Sequence, residues 1–135
     1  MNGRFQIAIH ILTLLCRADD ELLSSDYIAG SININPALVR KEISNLRNHQ
    51  LIISKEGKNG GYSLGKPASQ IRLSAIFKAV KQGAVLGQAK NLPNPECPVG
   101  RQINTHLNNL QAEMEAALVT KLGSMTLAGF SKQFD

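Results

Sequence analysis

The residues best suited to recognition chemistry lie together in a stretch that begins at an N-I-N-P segment. Arg40 and Lys41 follow Pro36 by four and five residues, which places them in the first turns of a helix that Pro36 starts. Their cationic groups suit guanine edges and phosphates, and the amides of Asn35, Asn45 and Asn48 suit adenine edges or phosphates. This pattern predicts contact with double-stranded DNA.

A glycine-rich segment shortly after this stretch carries the second group of candidate residues. Glycines allow backbone N–H groups to come close to phosphates, and a lysine in the same segment adds a positive charge. An Asn-Gly pair is also a strong hairpin signal, because both residues tolerate positive φ. The segment therefore predicts a narrow hairpin that follows a minor groove or a phosphate ridge. Its residues are Lys58, Asn59, Gly60, Gly61 and Tyr62.

The distribution of charge supports a nucleic-acid partner. Residues 36–81 hold nine Lys or Arg and two Glu, a net charge of +7, whereas residues 83–135 hold four bases and four acids. A concentrated basic block favours phosphate polymers or anionic surfaces, although charge alone does not separate a DNA-binding face from a solvated one. The residues predicted to form the DNA-binding site are Ser25, Asn35, Pro36, Ala37, Arg40, Lys41, Asn45, Lys58, Asn59, Gly60, Gly61 and Tyr62.

The two cysteines differ in setting. Cys97 directly precedes Pro98, where a helix begins, and a helix N-terminus favours the reactive thiolate, although Glu96 opposes this. Cys97 is therefore either a redox sensor or a loop anchor, whereas Cys16 lies on an apolar helix face and is interpreted as a packing residue. Two cysteines are too few for a disulfide framework, so a reducing, cytoplasmic location is expected.

Signals for other kinds of chemistry are scarce. The sequence has no phosphate-binding G-x-x-x-x-G-K motif, no H-E-x-x-H and no G-x-S-x-G. His10, His49 and His106 fall in three separate predicted helices without paired acids nearby. We expect no catalytic residue, no metal site and no bound cofactor. No segment approaches the roughly 20 apolar residues of a membrane span, so a membrane partner is not expected.

Periodicity places these residues on a series of short elements. Apolar residues at helical spacing predict helices over residues 5–16, 24–32 and 36–49, followed by strands over 51–55 and 62–64. Leucine, valine and isoleucine residues form the apolar stripe of the third helix, and its other face carries Arg, Lys, Ser and Asn. The stripe is Leu38, Val39, Ile43 and Leu46.

Capping residues refine the helix starts. Ser24 or Ser25 is predicted to cap the second helix and Asn35 the third. Ser74 is predicted to cap a fourth helix that ends near Gly83.

The last third of the chain predicts a long amphipathic helix that starts at residues 98–100, then a short helix over 126–134. Its apolar residues step by four, three, four and three, which is the spacing of a helix–helix seam. A stripe of this kind requires another helix to cover it, so we expect a homodimer. The dimerisation residues are Ile103, Leu107, Leu110, Met114 and Leu118, with Ala117 completing the pattern.

The expected fold is mostly α with a small β-hairpin wing. Residues 1–82 form a winged helix-turn-helix DNA-binding domain, 83–98 a loop that carries Cys97, and 99–135 the dimerisation helix and a short terminal helix.

Residues 39–80 closely resemble the winged-helix core of the Rrf-type family of bacterial transcriptional regulators, which includes IscR and CymR. The specific motifs are V-R-x-x-x-S-x-L-R, G-x-x-G-G-Y, I-x-L-x-x-I and the C-P-V-G that precedes the long helix. The resemblance implies homodimers that bind palindromic promoter DNA and respond to a cofactor, a redox signal or another effector. Cluster-binding members carry three cysteines in the loop where this chain has only Cys97, so the chain resembles the cluster-free branch.

The sequence thus predicts a DNA-binding transcriptional regulator, a repressor, whose signal is a reactive thiol, a small molecule or a partner protein. Two alternatives remain open from the residues alone. One is a winged-helix protein-interaction module that does not bind DNA, and the other is a small thiol enzyme built around Cys97.

Overall fold

The computed structural model describes residues 3–135. A 3₁₀ turn over Ala68–Gln70 joins the wing to the fourth helix. In chain order the helices and strands are α1 (Arg4–Ala18), α2 (Ser25–Ile32), α3 (Pro36–Asn48), β1 (Ile52–Lys55), β2 (Gly61–Leu64), α4 (Leu73–Val80), α5 (Pro98–Gly123) and α6 (Leu127–Ser131).

Helix α1 is the centre of the core. Ala8, Ile11 and Leu12 are fully buried, and α1 packs against α2, α3, α4 and α6. The other helices contribute buried branched side chains such as Ile28 and Ile76. Each such side chain contributes roughly 1.5–3 kcal/mol when it is removed from water, so α1 anchors the elements that carry the basic residues.

Two of the predicted caps are confirmed. The Ser24 side chain accepts a hydrogen bond from the Tyr27 backbone N–H at 3.1 Å and starts α2. The Asn35 side chain accepts one from the Ala37 backbone N–H at 2.7 Å and starts α3, with Pro36 in the first turn. The sharp start of α3 therefore follows from local sequence.

The predicted start and end of the fourth helix were wrong. Helix α4 begins at Leu73 without a side-chain cap, so Ser74 is inside the helix, and α4 ends at Val80 rather than near Gly83. The Leu73 backbone N–H instead donates to the Met125 carbonyl at 3.0 Å. A contact with the turn that precedes α6 thus satisfies one of the backbone donors that the first turn of α4 leaves without a partner inside the helix.

The wing is the antiparallel pair β1–β2, in which Ile52 faces Leu64 and Lys55 faces Gly61. The predicted hairpin is confirmed, but its turn is longer than an Asn-Gly turn and spans residues 56–60. Positive φ falls on Gly57, at 103°, and not on Asn59. A Cβ at Gly60 would lie 2.1 Å from the Lys55 carbonyl oxygen, so this position of the turn excludes a side chain.

Helix α5 extends over 26 residues, none of them buried. Its C-terminal half packs against α4. In its N-terminal half Val99 is 67% and Leu110 44% accessible, whereas Ile103 is half-buried. Within residues 3–135, no helix combines the length and the apolar character that crossing a bilayer requires.

Candidate nucleic-acid interface

The exposed face of α3 presents a row of polar and basic side chains. Arg40 and Lys41 are both exposed, as predicted for a helix that reads DNA. Ser44 and Asn48 are exposed too, and they follow Arg40 at intervals of four residues, which places them on the same side of the helix. The set of predicted contacts omitted Ser44, although this spacing was available to find it, whereas the Asn48 amide was among those expected to suit adenine edges or phosphates.

Arg47 is a further residue that the set omitted. It follows Arg40 by seven residues, which is two helical turns, and its Nη1 donates a hydrogen bond to Ser54 Oγ on β1 at 3.0 Å. This bond ties the end of α3 to the wing and holds an exposed guanidinium between them.

A groove of about 350 Å³ lies between the start of α2, Arg47 and the wing. It brings together several residues that are distant in sequence, while Lys58 and Asn59 lie exposed at the wing tip. The predicted contacts that line the groove are Ser25, Gly60, Gly61 and Tyr62.

Backbone pairing holds the wing beside α2. The Tyr62 N–H donates to the Leu23 carbonyl at 2.8 Å, and the Leu23 N–H donates to the Tyr62 carbonyl at 3.0 Å. A Cβ at Gly61 would lie 2.8 Å from the same Leu23 oxygen, so glycine permits this close approach. The wing, the start of α2 and α3 therefore form one continuous surface.

The amide of Asn45, a predicted DNA contact, is engaged within the protein. Asn45 is half-buried, and its amide donates to the Glu42 carboxylate at 3.1 Å and to the Ala79 carbonyl at 2.9 Å. These bonds use the Asn45 amide to hold α3 against α4.

The apolar stripe predicted for α3 was partly wrong as well. Leu38 is 55% exposed, and the acidic residue Glu42 is only 6% exposed. Glu42 is buried because Arg4 of α1 donates to both of its carboxylate oxygens, at 2.9 and 3.2 Å. The hydrogen bond with Glu42 raises the pKa of Arg4 above its ordinary value, although burial of the guanidinium opposes the shift.

Cys97 is exposed, and its sulfur accepts a hydrogen bond from the Gly100 backbone N–H at 3.5 Å, so it caps α5. Cys16 lies on α1 and is partly buried against the core, in agreement with a packing role. His10 is hydrogen-bonded through Nε2 to Ser31 Oγ at 3.0 Å. In the part of the chain that the structure describes, no three His, Cys, Asp or Glu residues are grouped to hold a metal ion.

Helix α2 leads into α3, which is exposed and basic, and the two-stranded wing follows. This order of elements defines a winged helix-turn-helix protein, a class of DNA-binding protein. A family model described as "Iron-dependent Transcriptional regulator" matches residues 1–133. The chain belongs to this family, the Rrf2 transcriptional regulators, which confirms the resemblance, the fold class and the prediction of a DNA-binding transcriptional regulator.

Individual relatives agree. YwnA of Bacillus subtilis (strain 168), named as an HTH-type transcriptional regulator, is 37% identical over 127 residues, which are 94% of this chain and 93% of YwnA. A crystal structure described as a DNA-binding protein is 33% identical, with a TM-score of 0.74 over 94% of this chain and 97% of the other. CymR of B. subtilis, the global cysteine regulator, has the same fold, with 20% identity and a TM-score of 0.74 over 100% of this chain and 98% of CymR. At the level of the family, these relatives are regulators rather than enzymes.

The cysteine ligands that this chain could offer to iron do not fit the iron dependence named in the family's description. An iron–sulfur cluster requires several cysteine thiolates at one place. This chain has two cysteines, one on α1 and the other at the start of α5.

Proposed function

We propose that the protein is a homodimeric repressor that acts in the bacterial cytoplasm on palindromic promoter sites. The observation that carries the DNA contact is the continuous surface formed by α2, α3 and the wing. Arg40, Lys41, Ser44 and Asn48 enter the major groove, while Lys58 and Arg47 meet the flanking phosphates. Most protein–DNA hydrogen bonds go to the backbone, so the wing positions the protein and α3 supplies the sequence readout.

The parts of the chain serve different tasks in this proposal. Residues 1–82 bind DNA, residues 83–98 link the DNA-binding domain to α5, and residues 99–135 pair two copies. The end of α4 at Val80 and the start of α5 at Pro98 support these divisions.

The exposed seam of α5 supports the pairing. Leu107 is 42%, Leu110 44% and Met114 40% exposed, at the spacing at which one helix covers another. A second copy packed along this seam, which also includes Ile103 and Leu118, buries these side chains. The symmetric dimer then presents two α3 helices to successive turns of DNA, about 34 Å apart, which matches a palindrome.

The closing experiment is selection from a random DNA pool by the purified protein, followed by affinity measurements on the selected site and on each half-site. We expect a palindrome, with half-sites bound much more weakly than the whole. A promoter that carries the site should be repressed in a reporter strain. A pool that shows no enrichment, or a site without two-fold symmetry, would contradict the proposal.

Cys97 is proposed as the residue that makes this repressor responsive to oxidants. Its exposure and its place between the DNA-binding domain and α5 support the proposal. An oxidised or modified sulfur no longer caps α5 in the same way, and the angle between the two DNA-binding domains then changes.

A further inference from the structure

An apolar cavity of about 200 Å³ lies between α1, α4, the segment that follows α4, and α5. None of the predicted DNA contacts or dimerisation residues other than Leu118 lines it. Its main apolar walls are Phe5, Phe77, Val80, Val85, Leu118 and Leu122.

The walls of the cavity are built from ordered contacts. Phe5 and Phe77 meet edge to face, with ring centroids 6.4 Å apart and an interplanar angle of 64°. Lys81 is the charged residue of the lining, and its ammonium pairs with Glu115 of α5. This pair compensates the charge of Lys81, and Gln82 is the one other polar side chain of the lining that the structure describes, so most of the lining is apolar.

We propose that this cavity binds a small, uncharged, apolar molecule, the size of one aromatic ring or of a short branched aliphatic compound. An apolar protein cavity of about 150 Å³ takes up benzene, so a cavity of about 200 Å³ has room for a ring with one or two added carbons. A charged molecule of the same size is disfavoured because the apolar walls remove part of its hydration and return no hydrogen bond.

The position of the cavity couples such a ligand to DNA binding, a step that rests on the proposed function. The Asn45 amide joins α3 to the Ala79 carbonyl of α4, and Lys81 at the end of α4 joins Glu115 of α5. A ligand wedged between α4 and α5 therefore sets the angle between the DNA-binding domain and the dimerisation helix. That angle determines the distance between the two α3 helices.

The binding test is a titration of the full chain with toluene, followed by methyl NMR. We expect saturable shifts confined to the methyl groups of the cavity, those of Val80, Val85, Leu118 and Leu122. Benzoate and benzylamine, which are charged and similar in size, should bind at least tenfold more weakly.

Adjacent residues provide a matched pair of variants. Val85 lines the cavity, whereas Leu86 is 57% exposed and does not line it. Val85→Trp should fill the cavity and weaken toluene binding at least tenfold, and Leu86→Trp should leave binding unchanged. Ala84→Phe, also in the lining segment, repeats the test if Val85→Trp fails to fold.

The outcomes separate the binding claim from the coupling claim. Absence of shifts in the wild type would overturn the site, and this outcome includes the case in which a partner copy already closes the cavity. Equal toluene affinity in the wild type and in Val85→Trp would overturn it as well. Saturating toluene should change the affinity for the selected DNA severalfold in the wild type and not in Val85→Trp, and no change would overturn the coupling. If the protein selects no DNA at all, the proposed function fails while the methyl titration still decides the site.

Discussion

Glu42 shows how a single residue orients α3, the helix proposed to read DNA. Its carboxylate is buried on α3, accepts hydrogen bonds from Arg4 of α1, and also accepts one from Asn45, which in turn reaches α4. Three helices are therefore joined at one acidic group. A buried carboxylate is tolerated only when it is paired and hydrogen-bonded in this way.

We expect Glu42→Ala to lower the free energy of unfolding by about 1–3 kcal/mol, because Arg4 and Asn45 each lose a partner. Glu42→Gln should cost less, since an amide oxygen still accepts a hydrogen bond. Urea unfolding followed by circular dichroism measures both. A loss below about 0.5 kcal/mol in Glu42→Ala, the range of ordinary surface substitutions, would show that the network contributes little.

Arg40 and Lys41 provide the second prediction at this scale. Replacing either with Ala should weaken binding to the selected site by about 1–3 kcal/mol if the side chain holds a base edge, with a smaller loss on random DNA. An equal loss on both DNAs would mark a phosphate contact. Lys78→Ala is the control, because it removes the same charge from an exposed position on α4. The assignment of α3 as the reading helix fails if all three variants bind alike in fluorescence anisotropy titrations.

At the scale of the element, the shape of the wing depends on glycines whose side-chain space is already occupied. Gly60 lies under the Lys55 carbonyl, and Gly61 lies against the Leu23 carbonyl, which joins the wing to the segment before α2. These backbone carbonyls cannot move aside for an added Cβ as the end of a flexible side chain could. The wing tip therefore has a defined position beside α3.

We expect Gly60→Ala to distort the wing tip and to weaken binding of specific and random DNA alike, because the contacts proposed for the wing are to the DNA backbone. Gly30→Ala is the matched control, since a Cβ at this position of α2 meets nothing within 4 Å. That control should leave DNA affinity unchanged and add about 0.5–1 kcal/mol of stability. Normal DNA affinity in Gly60→Ala would show that the wing is not part of the interface.

At the scale of the whole molecule, α5 is the element that one chain leaves incomplete. Leu107, Leu110 and Met114 of its seam are exposed, although a lone helix of a small protein rarely leaves such a stripe in water. A polar clamp holds the preceding segment in place, as Gln111 accepts from the Leu86 N–H at 2.7 Å and donates to the Gly87 carbonyl at 2.9 Å. This clamp does not cover the seam, on which the proposed second copy packs.

The double variant Leu107→Glu and Leu110→Glu should be monomeric and should lose tight binding to the palindrome, because opposed carboxylates cannot be buried in the seam. Thr105→Glu with Ala112→Glu adds the same charge to exposed positions on the other side of α5 and should remain dimeric. Sedimentation velocity at micromolar concentration measures the oligomeric state. A wild-type monomer under these conditions would contradict the proposed assembly.

A comparison of the wild type with Cys97→Ser tests whether oxidants change DNA binding through Cys97. Mild peroxide should lower the affinity of the wild type for its selected site and leave Cys97→Ser unchanged, while Cys16 reacts more slowly because it is partly buried. Anisotropy titrations and alkylation rates for each cysteine measure these effects. If peroxide lowers the DNA affinity of Cys97→Ser as much as that of the wild type, Cys97 only caps α5 and is not the sensor.

The sequence by itself determined the features that depend on near neighbours. Ser24 and Asn35 start their helices through bonds to residues two or three positions away, and the glycine-rich segment returns the chain within a few residues. The spacing of the α5 seam is likewise a property of one helix. Local signals of this kind, together with the family motifs, were sufficient for the fold class and for the identification of α3 and the wing.

Only the tertiary structure decided which side of α3 each borderline residue takes. Glu42 is buried because Arg4, 38 positions away, neutralises it, and Asn45 turns inward because Ala79 offers a carbonyl 34 positions away. Leu38 stays exposed although its type suggested burial. These outcomes depend on contacts between helices that are distant in sequence, and helical periodicity carries no information about such contacts.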